Sequence, residues 1–398
     1  MKDRKNDFSV FRKNENITYL DYAATTFMPD QVIMSWVDYH KNIGVSCNRG
    51  NGILSDYAQQ EYINSKSNIL TFFGAEDDYD LLFGKNATEC LNIMAYSLKE
   101  KVLQGDIILM GPYEHHSNIL PWEKVAREKG ACLVQLPLLE NGEINYDFFD
   151  KLDKKRVKVI SISIVSNINA YAVETAWVKK VQRDCNAFFI LDVSQMVGHC
   201  LLECKSINAD AYIMSAHKMY GPKNIAAAIV KKQLMEEMNP VLVGGGMVWN
   251  SLGATPSWQH GSRKFEAGTF DVGLIRAWSE SCEYLKNIGM DVVSESDKRI
   301  WEYVKNRLDK ELFSVVPGAN DFSSMVSFVV NSVHPHDVAE MATLHNFEIR
   351  TGHMCAQGAL EQLGYKSLCR LSWGIGSDIL DIEAFVCLIE ERCLNGKK

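Results

Sequence analysis

Short apolar runs alternate with longer amphipathic stretches along the first part of the chain. The runs have the length and the β-branched and aromatic content of buried strands. They are Asp80–Phe83, Asp106–Met110, Cys132–Leu136, Val157–Ser163, Phe188–Asp192, Ala211–Met214 and Ile225–Val230. The stretches between the earlier runs have helical periodicity. Because this alternation is typical of a mainly parallel sheet covered on both faces, we predict an α/β fold with a seven-stranded sheet.

The pattern changes after the glycine-rich segment Val241–Trp249. A long helical pattern covers Leu274–Gly289, and strands near Met325–Val330 and Arg370–Trp373 precede a closing helix from about Ile379. This second part predicts a smaller α/β unit.

A chain of 398 residues is long enough for two domains with large cores. We predict a large domain over residues 16–280 and a small domain over residues 281–398, with residues 1–15 packed on the small domain.

Composition and charge exclude several classes of protein. Hydrophobic residues make up 46% of the chain and charged residues 23%, which is ordinary for a globular protein. The net charge is −8, and the basic cluster at residues 154–158 lies beside acidic residues, so we expect no nucleic-acid partner. The polar N-terminus lacks the apolar stretch of a signal peptide, and no segment approaches the roughly 18 apolar residues of a membrane span. We therefore expect a cytoplasmic protein with no membrane partner.

The eleven cysteines show no paired CxxC and no His/Cys metal spacing. This usage indicates a reducing compartment and predicts no metal site. Most of the cysteines are expected in the core. Cys355 differs, because the segment RTGHMCAQ around it is small and polar and favours an exposed loop.

Polar side chains follow four of the predicted strands. They are Glu114-His115-His116-Ser117-Asn118, Ser166-Asn167, Asp192-Val193-Ser194-Gln195 and Ser215-Ala216-His217-Lys218. Ligands of parallel α/β sheets bind outside the carboxyl ends of the strands. Taken singly, the acid could be a helix cap and each histidine a structural residue. Together these groups suit a charged, phosphorylated aromatic cofactor.

Lys218 is the most informative of them, because lysine is seldom fully buried without a partner. Pyridoxal phosphate needs a lysine for a Schiff base, an acid beside its pyridine nitrogen, a flat group over its ring and a phosphate site. The predicted strand ends supply all four, so we predict pyridoxal phosphate as the cofactor.

Several motifs occur together, namely EHHSNILPW, DxxQ after a strand, SAHKMYGP, the GGG segment, FEAGT and RTGHMCAQ. With them, the chain resembles the group II (Suf-type) cysteine desulfurases and selenocysteine lyases of the class V aminotransferase superfamily, over roughly residues 20–375. The resemblance implies a pyridoxal-phosphate-dependent transferase fold of type I and L-cysteine or a related amino acid as substrate. It also implies a homodimer and a sulfur-acceptor protein, as in iron–sulfur cluster assembly.

The resemblance further implies individual roles. Lys218 would bind the cofactor covalently and later move the substrate Cα proton, and Cys355 would take the sulfur. His115 would stack on the ring and act as acid and base, while Asp192 would keep the pyridine nitrogen protonated. The other cofactor ligands would be Gln195 and Asn167 near the phenolic oxygen or substrate carboxylate, Thr88, Ser215 and His217 at the phosphate, and Thr269 of a second subunit, also at the phosphate.

Arg370 would clamp the substrate carboxylate, with Asn167 and Arg350 beside it. Arg370 lies on a predicted buried strand, where an unpaired guanidinium is costly, so a bound carboxylate is its natural partner. Asn167, Thr88 and Thr269 could instead be turn or cap residues.

The chain departs from the family in four short segments. Asn48-Arg49-Gly50-Asn51-Gly52 stands where the family has His-Arg-Gly-x-His, and Asn167-Ile168-Asn169-Ala170 stands where Asn-x-x-Gly is usual. DVSQ replaces DGAQ or DSAQ, and Asn86-Ala87-Thr88 replaces Gly-Thr-Thr. These changes concern the identity of the substrate and of the acceptor rather than the cofactor.

We predict a cysteine desulfurase that converts L-cysteine to L-alanine and passes the sulfur through a Cys355 persulfide to an acceptor. Two alternatives remain. One is another pyridoxal phosphate enzyme of the superfamily, such as a C–S lyase, a selenocysteine lyase or a biosynthetic tailoring enzyme. The other is a weakly active scaffold in a sulfur-transfer assembly.

Overall fold

The computed structural model describes residues 1–47, 50–250, 256–318 and 324–395. The strands in these residues are β1 (Thr18–Tyr19), β2 (Tyr79–Gly84), β3 (Ile107–Met110), β4 (Cys132–Gln135), β5 (Val157–Ser163), β6 (Phe188–Asp192), β7 (Ala211–Ser215), β8 (Ala226–Lys231), β9 (Val248–Asn250), β10 (Ser257–Trp258), β11 (Phe313–Val315), β12 (Met325–Val330), β13 (Phe347–Glu348), β14 (Arg350–Gly352) and β15 (Leu368–Ser372).

The α-helices are α1 (Ser9–Lys13), α2 (Asp30–Asn42), α3 (Ile53–Phe72), α4 (Ala87–Leu98), α5 (His116–Lys129), α6 (Thr175–Asp184), α7 (Cys204–Ile207), α8 (Lys232–Glu237), α9 (Val272–Ile288), α10 (Met290–Arg307), α11 (Pro335–Leu344), α12 (Gln357–Gln362) and α13 (Ile379–Asn395). A turn of 3₁₀ helix, Ala216–Lys218, follows β7 directly. None of the described helices is long and apolar enough to cross a membrane.

A seven-stranded sheet with the order β2-β8-β7-β6-β5-β3-β4 forms the centre of the large unit. Its strands run in parallel except for β8, which is antiparallel to both of its neighbours. Each of the seven strands predicted from the sequence overlaps one of these strands. The predicted α/β fold with a mainly parallel central sheet is therefore confirmed.

Side chains of this sheet alternate between two hydrophobic cores, one on each face. In β7, Tyr212 and Met214 belong to one core, whereas Ala211 and Ile213 belong to the other. All four are fully buried. Successive side chains of a strand point to opposite faces, so a sheet with two buried faces needs apolar residues at every position. This explains why strands such as β7 and β8 appear in the sequence as nearly continuous apolar runs.

The small unit contains a four-stranded antiparallel sheet in the order β11-β12-β15-β14. Its core joins β12 and β15 to α10, α11 and α13 through buried residues such as Phe328, Leu371 and Phe385. The predicted strands near Met325–Val330 and Arg370–Trp373 correspond to β12 and β15, and the smaller α/β unit is confirmed.

The predicted domain boundary at residue 280 lies inside α9, a helix that packs on α2 and α3. Residues 1–15 contact both units. Lys5 pairs with Asp381 of α13 at 3.2 Å, and the Phe8 ring lies 6.2 Å from the Tyr220 ring, between centroids. The division at residue 280 and the packing of residues 1–15 on the small domain stay predictions.

Candidate active site

The carboxyl ends of β5, β6 and β7 and the start of α5 face a cavity of about 300 Å³, and residues of β14, β15 and the loop after β14 line it from the small unit. Every site residue predicted from the sequence lines this cavity except Thr269. Parallel strands bring these residues together because their carboxyl ends share one edge of the sheet. Thr269 instead lies with Cys47 and Phe270 at a separate cavity. Its predicted contact with the site of a second subunit stays a prediction.

Lys218 stands in the turn directly after β7. Burial lowers the pKa of Lys218, while the Asp192 carboxylate opposes this shift and the Arg370 guanidinium adds to it. A lowered pKa increases the fraction of neutral amine, which is the form that attacks a carbonyl carbon. The N-terminal segment fixes the turn, because the Thr26 N–H donates to the His217 carbonyl at 2.8 Å.

Asp192 is the last residue of β6, and it is buried. Its Oδ1 accepts a hydrogen bond from the Ser194 N–H at 2.9 Å. Gln195, one residue further, donates from Nε2 to the Ala23 carbonyl at 2.9 Å. These contacts hold one carboxylate at the edge of the sheet, where it could pair with a protonated ring nitrogen.

His115 caps the N-terminus of α5, and its Nδ1 accepts the Ser117 N–H at 3.0 Å. This bond assigns the ring proton of the neutral imidazole to Nε2. Burial, together with the charge of Lys218, lowers the pKa of His115 to about 4. The ring is therefore neutral near pH 7, and it can stack on an aromatic cofactor and exchange a proton at Nε2.

Hydroxyl groups and a helix N-terminus form a polar pocket at the start of α4. Asn86 caps this helix, and the Ala87 N–H donates to Ser215 Oγ at 2.9 Å. Thr88 Oγ1 lies 2.7 Å from Ser117 Oγ. The helix dipole and the Thr88 and Ser215 hydroxyls favour a phosphate at such a position.

His217 also lines the cavity. Burial, together with Lys218, lowers the pKa of His217 to about 4, so its ring is neutral near pH 7. Its Nδ1 lies 3.1 Å from Thr25 Oγ1. The ring can therefore serve as a hydrogen-bond donor to phosphate.

Arg370 of β15 is buried, but its carboxylate partner belongs to the chain itself. Nη2 donates to Asp21 Oδ1 at 3.1 Å, and Nη1 donates to the Asn167 carbonyl at 2.7 Å. Asp21 Oδ2 accepts from Arg350 Nη2 at 2.7 Å, so one carboxylate bridges both arginines. The Asp21 carboxylate was not predicted as a partner of Arg370, and the binding of a substrate carboxylate by Arg370 stays a prediction. In the sequence, the only signal for Asp21 is a carboxylate directly after a short apolar segment.

The loop after β5, in the large unit, contacts the loop that carries Cys355 in the small unit. Asn167 Nδ2 donates to the Met354 carbonyl at 2.7 Å. Ala170 in this loop has a φ of 54°, a left-handed conformation that alanine adopts less readily than glycine. The family that this chain resembles has glycine at this position. Alanine replaces glycine here, but the backbone keeps the left-handed conformation that favours glycine. The other loop that departs from the family begins with Asn48 and Arg49, which lie outside the described residues.

Cys355 lies in the exposed loop between β14 and α12, where it lines the same cavity as Lys218. Its backbone N–H donates to His353 Nδ1 at 3.2 Å. Of the eleven cysteines, five others line no part of this cavity although they are partly or fully exposed, namely Cys132, Cys185, Cys200, Cys387 and Cys393. The structure therefore separates Cys355 from the other accessible thiols by position.

The composition of the cavity wall fits pyridoxal phosphate. Among the described residues, three buried polar atoms of wall residues have no hydrogen-bond partner, namely Asn167 Oδ1, Ser194 Oγ and Arg370 Nε. Buried polar groups are normally paired, so these atoms indicate a polar ligand. The wall also supplies an amine, an acid, a neutral imidazole and a phosphate pocket. No group of three or more His, Cys, Asp or Glu side chains in the described part of the chain is arranged to hold a metal ion.

Comparisons with known proteins agree along nearly the whole chain. A sequence model of the aminotransferase class-V family matches residues 18–385. A probable cysteine desulfurase of Pyrococcus abyssi is 31% identical over 382 residues, which cover 95% of this chain and 94% of that protein. The solved apo structure of a cysteine desulfurase from Thermococcus onnurineus has a TM-score of 0.93 at 27% identity, and the match covers 98% of this chain and 97% of that one.

Proposed function

Because this chain belongs to the aminotransferase class-V family, we propose that it is a cysteine desulfurase that uses pyridoxal phosphate. The observation that carries the proposal is the position of Cys355. An exposed thiol of the small unit lines the same cavity as the strand-end lysine of the large unit. A cofactor lysine and an accessible nucleophile at one site are what sulfur transfer from an amino acid requires.

The residues present fit the cofactor. Lys218 would hold it covalently, Asp192 would pair with its pyridine nitrogen, and the neutral His115 ring would stack on it. The phosphate would lie at the N-terminus of α4, with Thr88 and Ser215. When bound, pyridoxal phosphate supplies an electron-withdrawing ring that makes the substrate Cα proton acidic.

The proposed reaction moves one sulfur atom from L-cysteine to the Cys355 thiol. Arg370 would bind the substrate carboxylate, and the Lys218 amine would take the Cα proton. The Cys355 thiolate would attack the substrate sulfur, so that an S–S bond forms while the Cβ–S bond breaks. The electron pair of the broken bond would remain on Cβ, which takes up a proton, and Lys218 would return a proton to Cα. The products are L-alanine and a Cys355 persulfide, which an acceptor then takes over.

The proposed assembly is a homodimer in which Thr269 completes the phosphate pocket of the other subunit. Large apolar side chains that are exposed in the single chain support an interface. They include Ile53 (70% exposed), Val243 (67%) and Trp249 (68%).

Product analysis tests the reaction. The protein, saturated with pyridoxal phosphate, is incubated with L-cysteine and a reducing thiol, and alanine, sulfide, pyruvate and ammonia are measured. The proposal predicts alanine and sulfide in equal amounts. Pyruvate and ammonia would instead indicate the C–S lyase alternative, and no turnover together with no spectral change on adding cysteine would indicate the scaffold alternative.

A further inference from the structure

The loop that carries Cys355 has an unusual backbone. Met354 and Cys355 are consecutive, and both have a φ of 54°. Left-handed conformations are uncommon for residues with a side chain, and two in succession persist only where surrounding contacts enforce them. The contacts of this loop therefore decide where the Cys355 sulfur lies.

One residue of the large unit holds this loop at two points. His116 is the first residue of α5, and its backbone N–H donates to the Cys355 carbonyl at 2.8 Å. Its ring Nε2 accepts the Gln357 N–H at 3.3 Å. The first N–H groups of a helix have no partner inside the helix, so the first bond uses a donor that α5 cannot use itself. His116 thus holds the backbone on both sides of Ala356.

The second bond requires a neutral ring, because only an unprotonated Nε2 accepts a hydrogen bond. Burial lowers the pKa of His116, and the neighbouring His353 imidazole adds to this effect. The two rings lie 5.9 Å apart between centroids. The lowered pKa favours the neutral ring, and the bond from the Gln357 N–H places the ring proton on Nδ1.

We propose that His116 is a positioning residue that holds the Cys355 thiol over the cavity through these two backbone contacts. The inference rests on the proposed function, because it concerns the step in which Cys355 takes the sulfur. The role differs from that of His115, whose ring lines the cavity itself.

Three variants of the full-length enzyme, loaded with cofactor, distinguish the effect of the hydrogen-bond acceptor at Nε2 from the effect of the volume of the ring. His116→Phe keeps a ring without an acceptor, and His116→Ala removes the side chain. His116→Gln places Oε1 near the position of Nε2 and keeps an acceptor. All three retain the backbone N–H, and the Ala variant covers the case in which a Phe side chain disturbs folding.

Two measurements follow. The first is the rate at which a single turnover with L-cysteine forms the Cys355 persulfide, together with the KM for cysteine. The second is hydrogen exchange of the peptide that contains residues 355–357. We expect the Phe and Ala variants to form persulfide about threefold to tenfold more slowly, as the loss of one hydrogen bond implies, with KM changed less than about twofold. Their peptide should exchange faster than in the wild type.

Recovery by the Gln variant is the decisive result, since a purely space-filling role for the ring would not restore the rate. The proposal is overturned if the Phe and Ala variants match the wild type, or if the Gln variant is as slow as the Phe variant. A wild-type enzyme that forms no persulfide would contradict the proposed function instead. In that case, the exchange measurement still tests the contact with the loop.

Discussion

The two sides of the cavity are built differently. On the large unit, Asp192 ends a central strand and Lys218 follows another, so ladder hydrogen bonds and two buried cores fix the backbone around them. On the small unit, Cys355 lies in an exposed loop with positive φ angles, held by a few contacts to Asn167 and His116. Many contacts therefore fix the backbone around Lys218 and Asp192, whereas few contacts hold Cys355, which is exposed to a partner molecule.

Removal of the lysine should cause the largest loss. Lys218→Ala should slow alanine formation by at least about 10³-fold, because it removes both the covalent attachment of the cofactor and the group that moves the Cα proton. The protein should still fold, since the phosphate pocket and Asp192 remain. Cofactor absorbance and alanine formation are the measurements.

Lys264→Ala is the matched control. Lys264 is also buried, but its amine donates to the Glu236 carbonyl away from the cavity. This variant should retain the covalent cofactor. In the wild type, borohydride reduction should attach the cofactor to Lys218, and a label on any other lysine would refute the assignment.

Substitution of Arg370 in β15 tests whether this residue binds the substrate carboxylate. Arg370→Lys should raise the KM for cysteine about tenfold to a hundredfold, because lysine cannot replace the planar fork that binds a carboxylate. Arg350→Lys is the comparison, since Arg350 shares the Asp21 carboxylate but is about half exposed. Its effect should stay below about fivefold. A larger effect at Arg350 than at Arg370 would reverse the two assignments.

A smaller effect is expected at Thr269, which we propose completes the phosphate pocket of a second subunit. Thr269→Val should weaken cofactor retention about tenfold, through the loss of one hydrogen bond to phosphate. A mixture of Thr269→Val chains and Lys218→Ala chains tests whether Thr269 acts in the site of the partner subunit. In a hybrid dimer, one site combines an intact Lys218 with an intact Thr269 from the partner, so tight binding should return at that site. No recovery, or full retention by a monomer, would rule out the shared site.

Much of the fold could be predicted because its signals are local. The bounds of β5 and β6 follow from runs rich in β-branched and aromatic residues, and the polar residues after them mark the carboxyl edge of the sheet. The two-residue strands β1 and β13 could not be predicted, since such short strands show no periodicity.

In the candidate site too, some features could be predicted from the sequence and others could not. Lys218 and Asp192 follow strands and could be identified, whereas the pairing of Asp21 with Arg370 and of His116 with Gln357 could not. These partners lie hundreds of residues apart in the chain. Asp21 reaches Arg370 because the segment after β1 pairs with β15, and His116 reaches Gln357 across the contact between the two units. The sequence therefore predicted residues that line the cavity on both units, but not the contacts by which Asp21 and His116 hold the small-unit side.

The cysteine that carries sulfur after one turnover shows whether Cys355 is the nucleophile. The enzyme, loaded with cofactor, is mixed with L-cysteine for a single turnover, and the thiols are then blocked. The protein is digested, and the masses of its peptides are measured by mass spectrometry. We predict that the peptide with Cys355 gains the mass of one sulfur atom, that the peptide with the exposed Cys132 gains none, and that Cys355→Ser forms no persulfide although its spectrum still changes with cysteine. Sulfur on another cysteine, or alanine formation at the wild-type rate by Cys355→Ser, would contradict the account.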